Sequence, residues 1–314
     1  MANHQLPKNP HVRPRGTDLP DSEEPSMLGV ALLYFHEQFA ELCIQEPLVH
    51  SGDPEAVHDM RTATRRLRSV LEIYGNLFAT DPCQSLKREL KWLSGVLGRT
   101  RDAEVILDRL RTRINELPAE WQTAKITGAL EHGLHAPGTT GHKRTRKKLS
   151  SKRCRRLLKN LEHFRDHPPA AGPVVRPTRV EVATLVNHQA RLADRSFRAA
   201  LRSEPGRERD EALHRLRKDT KRLLHAAEAA AAPHPKHSVA LGRRVRKLQR
   251  ILGNYQDSVM TREYLETFIV DPDLPAETRQ AYQRIIAVER LIAEAAERQY
   301  LQVRRKSPAL RLRH

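Results

Sequence analysis

V-H-D-M-R-T-A-T-R-R-L (Val57–Leu67) returns in outline further along the chain as L-H-R-L-R-K-D-T-K-R-L (Leu213–Leu223). The apolar, His, Arg, Thr, basic, basic and Leu positions coincide. A second pair, L-S-G-V-L-G-R-T-R-D (Leu93–Asp102) and L-Q-R-I-L-G-N-Y-Q-D (Leu248–Asp257), lies at about the same offset. Both belong to one internal duplication. Two similar halves predict a pseudo-two-fold assembly with a groove shared between them.

Each copy reads as an amphipathic helix. Val57, Met60, Thr64, Leu67, Leu71 and Tyr74 recur at helical spacing and predict a buried seam. Beside it His58, Arg61, Arg65 and Arg68 form a stripe of one sign. A solvated helix face gains from alternating signs, whereas a row of like charges repels itself unless acids or a bound anion offset it. His214, Arg217 and Lys221 repeat the stripe, with Lys218 and Arg222 alongside. Lys87 and Lys91 add to it in the first half. Further rows follow: Lys148, Lys152, Arg155 and Lys159; Arg195 and Arg198; Arg243, Arg246, Lys247 and Arg250. Between Lys143 and Arg165 there are 11 Lys or Arg and one acid, Glu162. Residues four apart on a helix space their charges by about 6 Å, which suits closely placed phosphates. Arg offers them a planar fork and Lys a point charge.

The rest of the chain extends the pattern. Its 314 residues carry 56 Lys and Arg against 38 Asp and Glu, a formal net charge of +18. A chain this basic points to a polyanion: nucleic acid, an anionic membrane surface or polyphosphate. Aromatic residues are only 4%, so the core must be aliphatic. The apolar stretch Leu28–Phe35 is far shorter than the ~20 residues of a bilayer span, and no membrane span is expected. Cys43, Cys83 and Cys154 are odd in number and widely separated, against a disulfide framework and in favour of a reducing, cytoplasmic location. Residues 1–26 read as a disordered leader and 306–314 as a tail. Pro168-Pro169-Ala170-Ala171-Gly172-Pro173 opens a linker over 168–178, between helical halves at 27–167 and 179–305. Helix starts are expected at Asp53-Pro54 and Asp81-Pro82, an interruption at Gly98, another helical region over Pro118–Leu134 and a loop at His135–Gly141. Breaks are expected near Pro205-Gly206, Pro233–Pro235 and Pro272–Pro275. The class is all-α, a bundle architecture.

Val57–Leu71 followed by Leu90–Asp102, with Leu213–Leu223 and Lys247–Asp257 as second copies, resembles the CHAD family, the conserved-histidine α-helical domain. The likeness covers most of the chain from about Met27 to Arg305. It implies two four-helix bundles related by pseudo-two-fold symmetry, and a basic central groove or pore that binds inorganic polyphosphate. The family's histidines map onto His58 and His214, and its basic positions onto Arg61, Arg65, Arg66, Arg217, Lys221 and Arg222. Association with polyphosphate or storage granules is a further implication. Two positions depart from symmetry: Leu224 stands opposite Arg68, and Gln256 opposite Arg101. The triphosphate-tunnel domain that many family members carry has no E-x-E-x-K run here.

The resulting expectation is a polyphosphate-binding module, not an enzyme, with no cofactor and no metal. The alternatives are sequence-independent nucleic-acid binding, disfavoured by the scarcity of stacking aromatics, or an accessory to a metal-dependent phosphohydrolase, which would need clustered carboxylates. His58 and His214 read as phosphate donors or packing hydrogen-bond partners. Asp102 and Asp257 read as caps or partners of a nearby Arg, and Arg66 and Arg222 face differently from the main stripes, toward acids such as Glu72 or Glu228. His234-Pro235-Lys236-His237 reads as loop, and Trp92 and Trp121 as core anchors.

Overall fold

A computed structural model describes residues 26–121, 128, 141–172, 179–306 and 309–312. Helix α1 (Met27–Ser51) starts where the Ser26 hydroxyl accepts a hydrogen bond from the Gly29 amide at 2.9 Å, and it ends at Gly52, whose φ of 89° is the left-handed conformation a glycine adopts without strain. The Asp53 carboxylate takes the amides of Glu55 and Ala56, at 2.9 and 3.1 Å, ahead of α2 (Ala56–Ile73). A 3₁₀ turn (Gly75–Leu77) leads to α3 (Thr80–Asn115). Helix α4 is described over residues 141–149, and α5 (Lys152–Asp166) follows with Ser151 as its cap. The second half is α6 (Arg179–Arg202), α7 (Arg207–Ala229), α8 (Pro235–Ile269) and α9 (Ala276–Lys306). The three expected breaks in this half fall between those helices. Among the described residues there is no strand, only an isolated bridge between Phe78 and Ala170.

Two expectations need correction. Gly98 does not interrupt α3, which runs unbroken past it. The helix cost of a glycine is about 1 kcal/mol, and packing overrides it. Arg61 packs against this turn, its Nε 3.6 Å from where a Cβ would stand, an ordinary contact distance. The apolar stretch near the N-terminus also extends further than Leu28–Phe35. Helix α1 is long and apolar enough, by length and composition, to cross a membrane. Its inner face is core instead: Ala31, Phe35 and Leu42 are fully buried and Phe39 nearly so. The leader, the chain from 122 to 134, residues 135–140 of the following loop and residues 173–178 of the linker lie outside the described residues apart from Ser26 and Gly128, and Gly141, expected in that loop, already belongs to α4.

Helix α2 packs between α1 and α3, and α7 between α6 and α8; α2 also meets α7, and α3 meets α8. Each helix of the repeat thus touches its own counterpart. One aliphatic core runs through both sets, from Phe35, Leu67 and Leu90 to Leu216, Leu241 and Val245. Trp92 packs at its edge beneath the Arg153 guanidinium, 4.4 Å from the ring centroid. A smaller core joins Leu110 and Ile114 of α3 to Leu265 of α8 and Tyr282 and Ile285 of α9, with Trp121 against it. Residues 309–312 of the tail fold back onto α6: Leu310 and Leu312 are buried, and the Leu312 amide donates to the Asn187 side chain at 2.9 Å.

Candidate polyanion site

The seams of α2 and α7 are buried against their neighbours, and this turns both cationic stripes toward each other. Between α2, α3, α7 and α8 lies a cavity of about 590 Å³. From α2 it receives His58, Arg61, Arg65 and Arg68; from α7, His214, Arg217, Lys218, Lys221 and Arg222; from α3, Lys91 and Arg101. Nine Lys or Arg side chains line it against three acids, Glu72, Asp102 and Asp257. Among the described residues no aromatic ring other than those of His58, His214 and His225 reaches the wall.

The acids do not neutralise the cations. Arg61 donates to Asp102 at 3.2 Å, Arg68 and Arg222 both reach Glu72 at 3.1 and 3.0 Å, Arg222 also pairs with Asp219 at 2.8 Å, and Arg101 turns to Glu104. Among the described residues no acid pairs with Arg65, Lys91, Arg217, Lys218 or Lys221. Burial, followed by the charges of Arg65, Arg217 and Arg61, pushes the Lys221 ammonium down to about 6. Arg65 is lowered to about 10, first by burial and then by Arg61 and Arg217. Arg217 is lowered too, chiefly by burial. The Nε donors of Arg61 and Arg217 and the Ser94 hydroxyl are buried without a hydrogen-bond partner. Buried donors left unmade cost free energy, and like charges in a partly dry cavity cost more. An anion with several oxygens would relieve both.

The histidines divide. The His214 Nδ1 and the Gln256 side-chain oxygen lie 2.6 Å apart, the packing role, while the ring edges the cavity. His58 is exposed at the rim. Both have lowered pKa values, His58 through burial and Arg101, His214 through burial despite the hydrogen bond to Gln256. His225, absent from the sequence expectations, is fully buried on the cavity floor. There burial and Lys221 hold it neutral, and its Nδ1 shares a hydrogen bond of 2.7 Å with the Ser69 hydroxyl. An apolar run of α7 surrounds it, and no spacing signal marks it.

The remaining expected residues lie elsewhere. Arg66 leaves the cavity to pair with Glu228 at 3.2 Å, an acid named for it from sequence. Arg246 shares that carboxylate. Lys87 lines a separate side pocket beyond Glu72. Lys148, Lys152, Arg155, Lys159, Arg195, Arg198, Arg243, Lys247 and Arg250 stand on exposed helix faces outside the cavity. The cavity collects the α2 and α7 stripes and leaves the outer rows in solvent. Asp102 is an arginine partner, as expected, whereas Asp257 has its pKa raised by burial against the pull of Arg217. Of the expected loop histidines, His234 is buried and bonded to the Arg179 carbonyl at 2.9 Å.

An all-α fold with a basic cavity between duplicated helices defines a class. The model of the CHAD domain matches residues 33–266, and the chain belongs to that family. It is 30% identical over 266 residues to two uncharacterized proteins of Mycobacterium tuberculosis, strains CDC 1551 and H37Rv, covering 84% of this chain and 50% of each relative. The chain therefore spans about half the length of the curated relatives it matches. Two solved structures share the fold at 20% identity. PptA from Streptomyces chartreusis superposes with a TM-score of 0.76 over 90% of this chain and 100% of that one. The CHAD domain from the plant Ricinus communis gives 0.70 over 96% and 100%.

Proposed function

We propose that the α2–α7 cavity binds linear inorganic polyphosphate and does not turn it over. The observation that carries this is the trio Arg65, Arg217 and Lys221, all lowered first by burial, none joined to an acid by an ion pair among the described residues, with Lys221 lowered further by the charges of Arg65 and Arg217. Arg61, Arg65 and Arg217 supply forked donors to successive phosphates, and Lys221 adds a point charge at their centre. Asp102 is engaged by Arg61, and among the described residues no three His, Cys, Asp or Glu side chains cluster as metal ligands, which supports binding without catalysis.

Symmetry supports the choice of polymer. Arg66 of α2 pairs with Glu228 of α7, and their counterparts Arg222 and Glu72 pair in return; Ser69 and His225, counterparts of each other, meet directly. Reciprocal contacts of this kind are the signature of a two-fold relation. We read the halves 27–167 and 179–305 as two bundles about a pseudo-two-fold axis through Ser69 and His225. A phosphate chain is identical when reversed, whereas a nucleic acid strand has direction and is normally held by stacking aromatics, of which the described wall has only histidine rings. The same reading extends to a cytoplasmic place at polyphosphate or storage granules.

A competition titration tests it. Long-chain polyphosphate should displace bound DNA or RNA at equal phosphate concentration, and orthophosphate should not compete. Tighter binding of nucleic acid would overturn the reading in favour of a nucleic-acid module.

A further inference from the structure

Beside the main cavity lies a second of about 300 Å³, lined by Asn76, Thr80, Cys83, Gln84 and Lys87 near the start of α3. Glu72 lines both spaces. The wall is continuous along α3: Gln84 and Lys87 face the side pocket, and Lys91, Ser94 and Arg101 face the cavity, all at helical spacing. Glu72 thus occupies the neck, and it holds two cavity cations, Arg68 at 3.1 Å and Arg222 at 3.0 Å. Its counterpart Glu228 leaves the cavity and takes Tyr34, Arg66 and Arg246. The sequence explains the difference. Arg68 draws Glu72 inward one helical turn away, and Leu224 at the matching place offers Glu228 nothing.

We propose that Glu72 is an internal carboxylate gate, and that the side pocket with Lys87 is a further phosphate subsite reached when the polymer displaces Glu72 from Arg68 and Arg222. This rests on the cavity being a polyphosphate site. A carboxylate occupies the two guanidiniums as a phosphate would, so ligand must compete with it. A short chain is satisfied by Arg61, Arg65, Arg217 and Lys221. Only a longer one spans the neck and gains Lys87. The pocket makes the binding footprint one-sided within an otherwise paired wall.

Calorimetric titration with tripolyphosphate and with long-chain polyphosphate tests the proposal. Glu72→Gln should tighten long-chain binding by roughly tenfold, the worth of one freed charge-assisted contact. Lys87→Ala should weaken the long chain roughly threefold to tenfold and leave tripolyphosphate unchanged. Unchanged or weaker long-chain binding by a folded Glu72→Gln protein overturns the gate. Equal effects of Lys87→Ala on both ligands, or none, overturn the subsite. If Glu72→Gln fails to fold, Lys87→Ala and Lys87→Gln decide the matter, because Lys87 makes no ion pair among the described residues. Arg61→Glu with Arg65→Glu separates this from the parent reading. Retained affinity there removes the cavity itself, and lost affinity with an indifferent Lys87 removes only the subsite.

Discussion

Two partly buried arginines on neighbouring helices have opposite surroundings. Arg109 of α3 reaches across to α9 and α8. Its Nε lies 2.9 Å from both oxygens of the fully buried Glu289, its Nη2 lies 2.7 Å from the same carboxylate and 2.6 Å from the Ser258 hydroxyl, and its Nη1 donates to Asn254 at 2.9 Å. All three guanidinium nitrogens have protein partners. Arg65 of α2 faces Arg61, Arg217 and Lys221, has Asp102 as its opposing charge, and makes no ion pair with an acid among the described residues. The Arg109 cluster is tied to its own carboxylate and hydroxyl partners. The Arg65 cluster is an incomplete network, held in place by the seams of α2 and α7. A buried guanidinium is thus structural or functional according to what surrounds it, and residue type alone does not separate the two.

The comparison can be broken first by stability. Arg109→Ala leaves the buried Glu289 only the 3.7 Å pair with Arg113 and the Ser258 hydroxyl, and should cost up to about 3–5 kcal/mol in denaturant unfolding. Arg65→Met removes a cation from among cations, so the ligand-free melting temperature should stay level or rise by a few degrees. A severe loss with Arg65→Met would mean that its cluster is structural after all.

Binding should show the reverse order. Arg61→Glu with Arg65→Glu, and separately Arg217→Glu with Lys221→Glu, should each weaken polyphosphate binding by roughly a hundredfold or more, since each pair removes two contacts of about 1.5–3 kcal/mol. Helix content by circular dichroism should stay near that of the parent. Lys152→Glu with Lys159→Glu, on the exposed row of α5, should change tripolyphosphate affinity by less than about threefold. A large loss there would return the outer rows to the site.

Much of this was legible in the sequence because a helix is a periodic object. Once Val57, Met60, Thr64 and Leu67 are a seam, His58, Arg61 and Arg65 must lie beside it, and the duplication repeats the geometry on α7. Periodicity says which residues share a face and not what that face meets. The α5 row of Lys152, Arg155 and Lys159 has the same rhythm as the α2 stripe and ends in solvent, because α5 packs on α1 and α3 through Cys154, Leu157 and Leu161. His225 was missed for a related reason. Its role comes from a partner on the opposite helix, Ser69. Glu72 is an expected acid for Arg66 or Arg222, and it does meet Arg222, but its place in the cavity wall is not among the expectations. The Arg109–Glu289 clamp joins residues far apart in the chain, and no local pattern announces such a pair. Gly98, by contrast, carried a local signal for a break, and the helix runs through it with Leu93, Val96 and Leu97 buried just ahead of it.

The subtlest expected effect concerns protons and sets the two halves of the wall apart. The α2 stripe is guanidinium at Arg61, Arg65 and Arg68, but α7 has Lys221 in the position matching Arg65. In the free protein Lys221 sits at about 6 against 10.5 for an ordinary lysine. Between those values the unfolded chain binds the extra proton, so the ligand-free protein should gain stability as pH rises through this window, by at most about 1.4 kcal/mol per unit. Polyphosphate restores the charge, so binding takes up a proton and affinity should fall as pH rises above 6, by no more than about tenfold per unit. Rising stability with falling affinity over the same interval is a combination that surface lysines do not produce. Lys221→Arg should flatten both trends, and Lys221→Met should flatten them while weakening binding at pH 6. Above pH 7.5, where free His58 and His214 are already neutral because their pKa values are lowered, a slope that survives Lys221→Arg would assign the proton to another group. The centre of the wall would then lie away from Lys221.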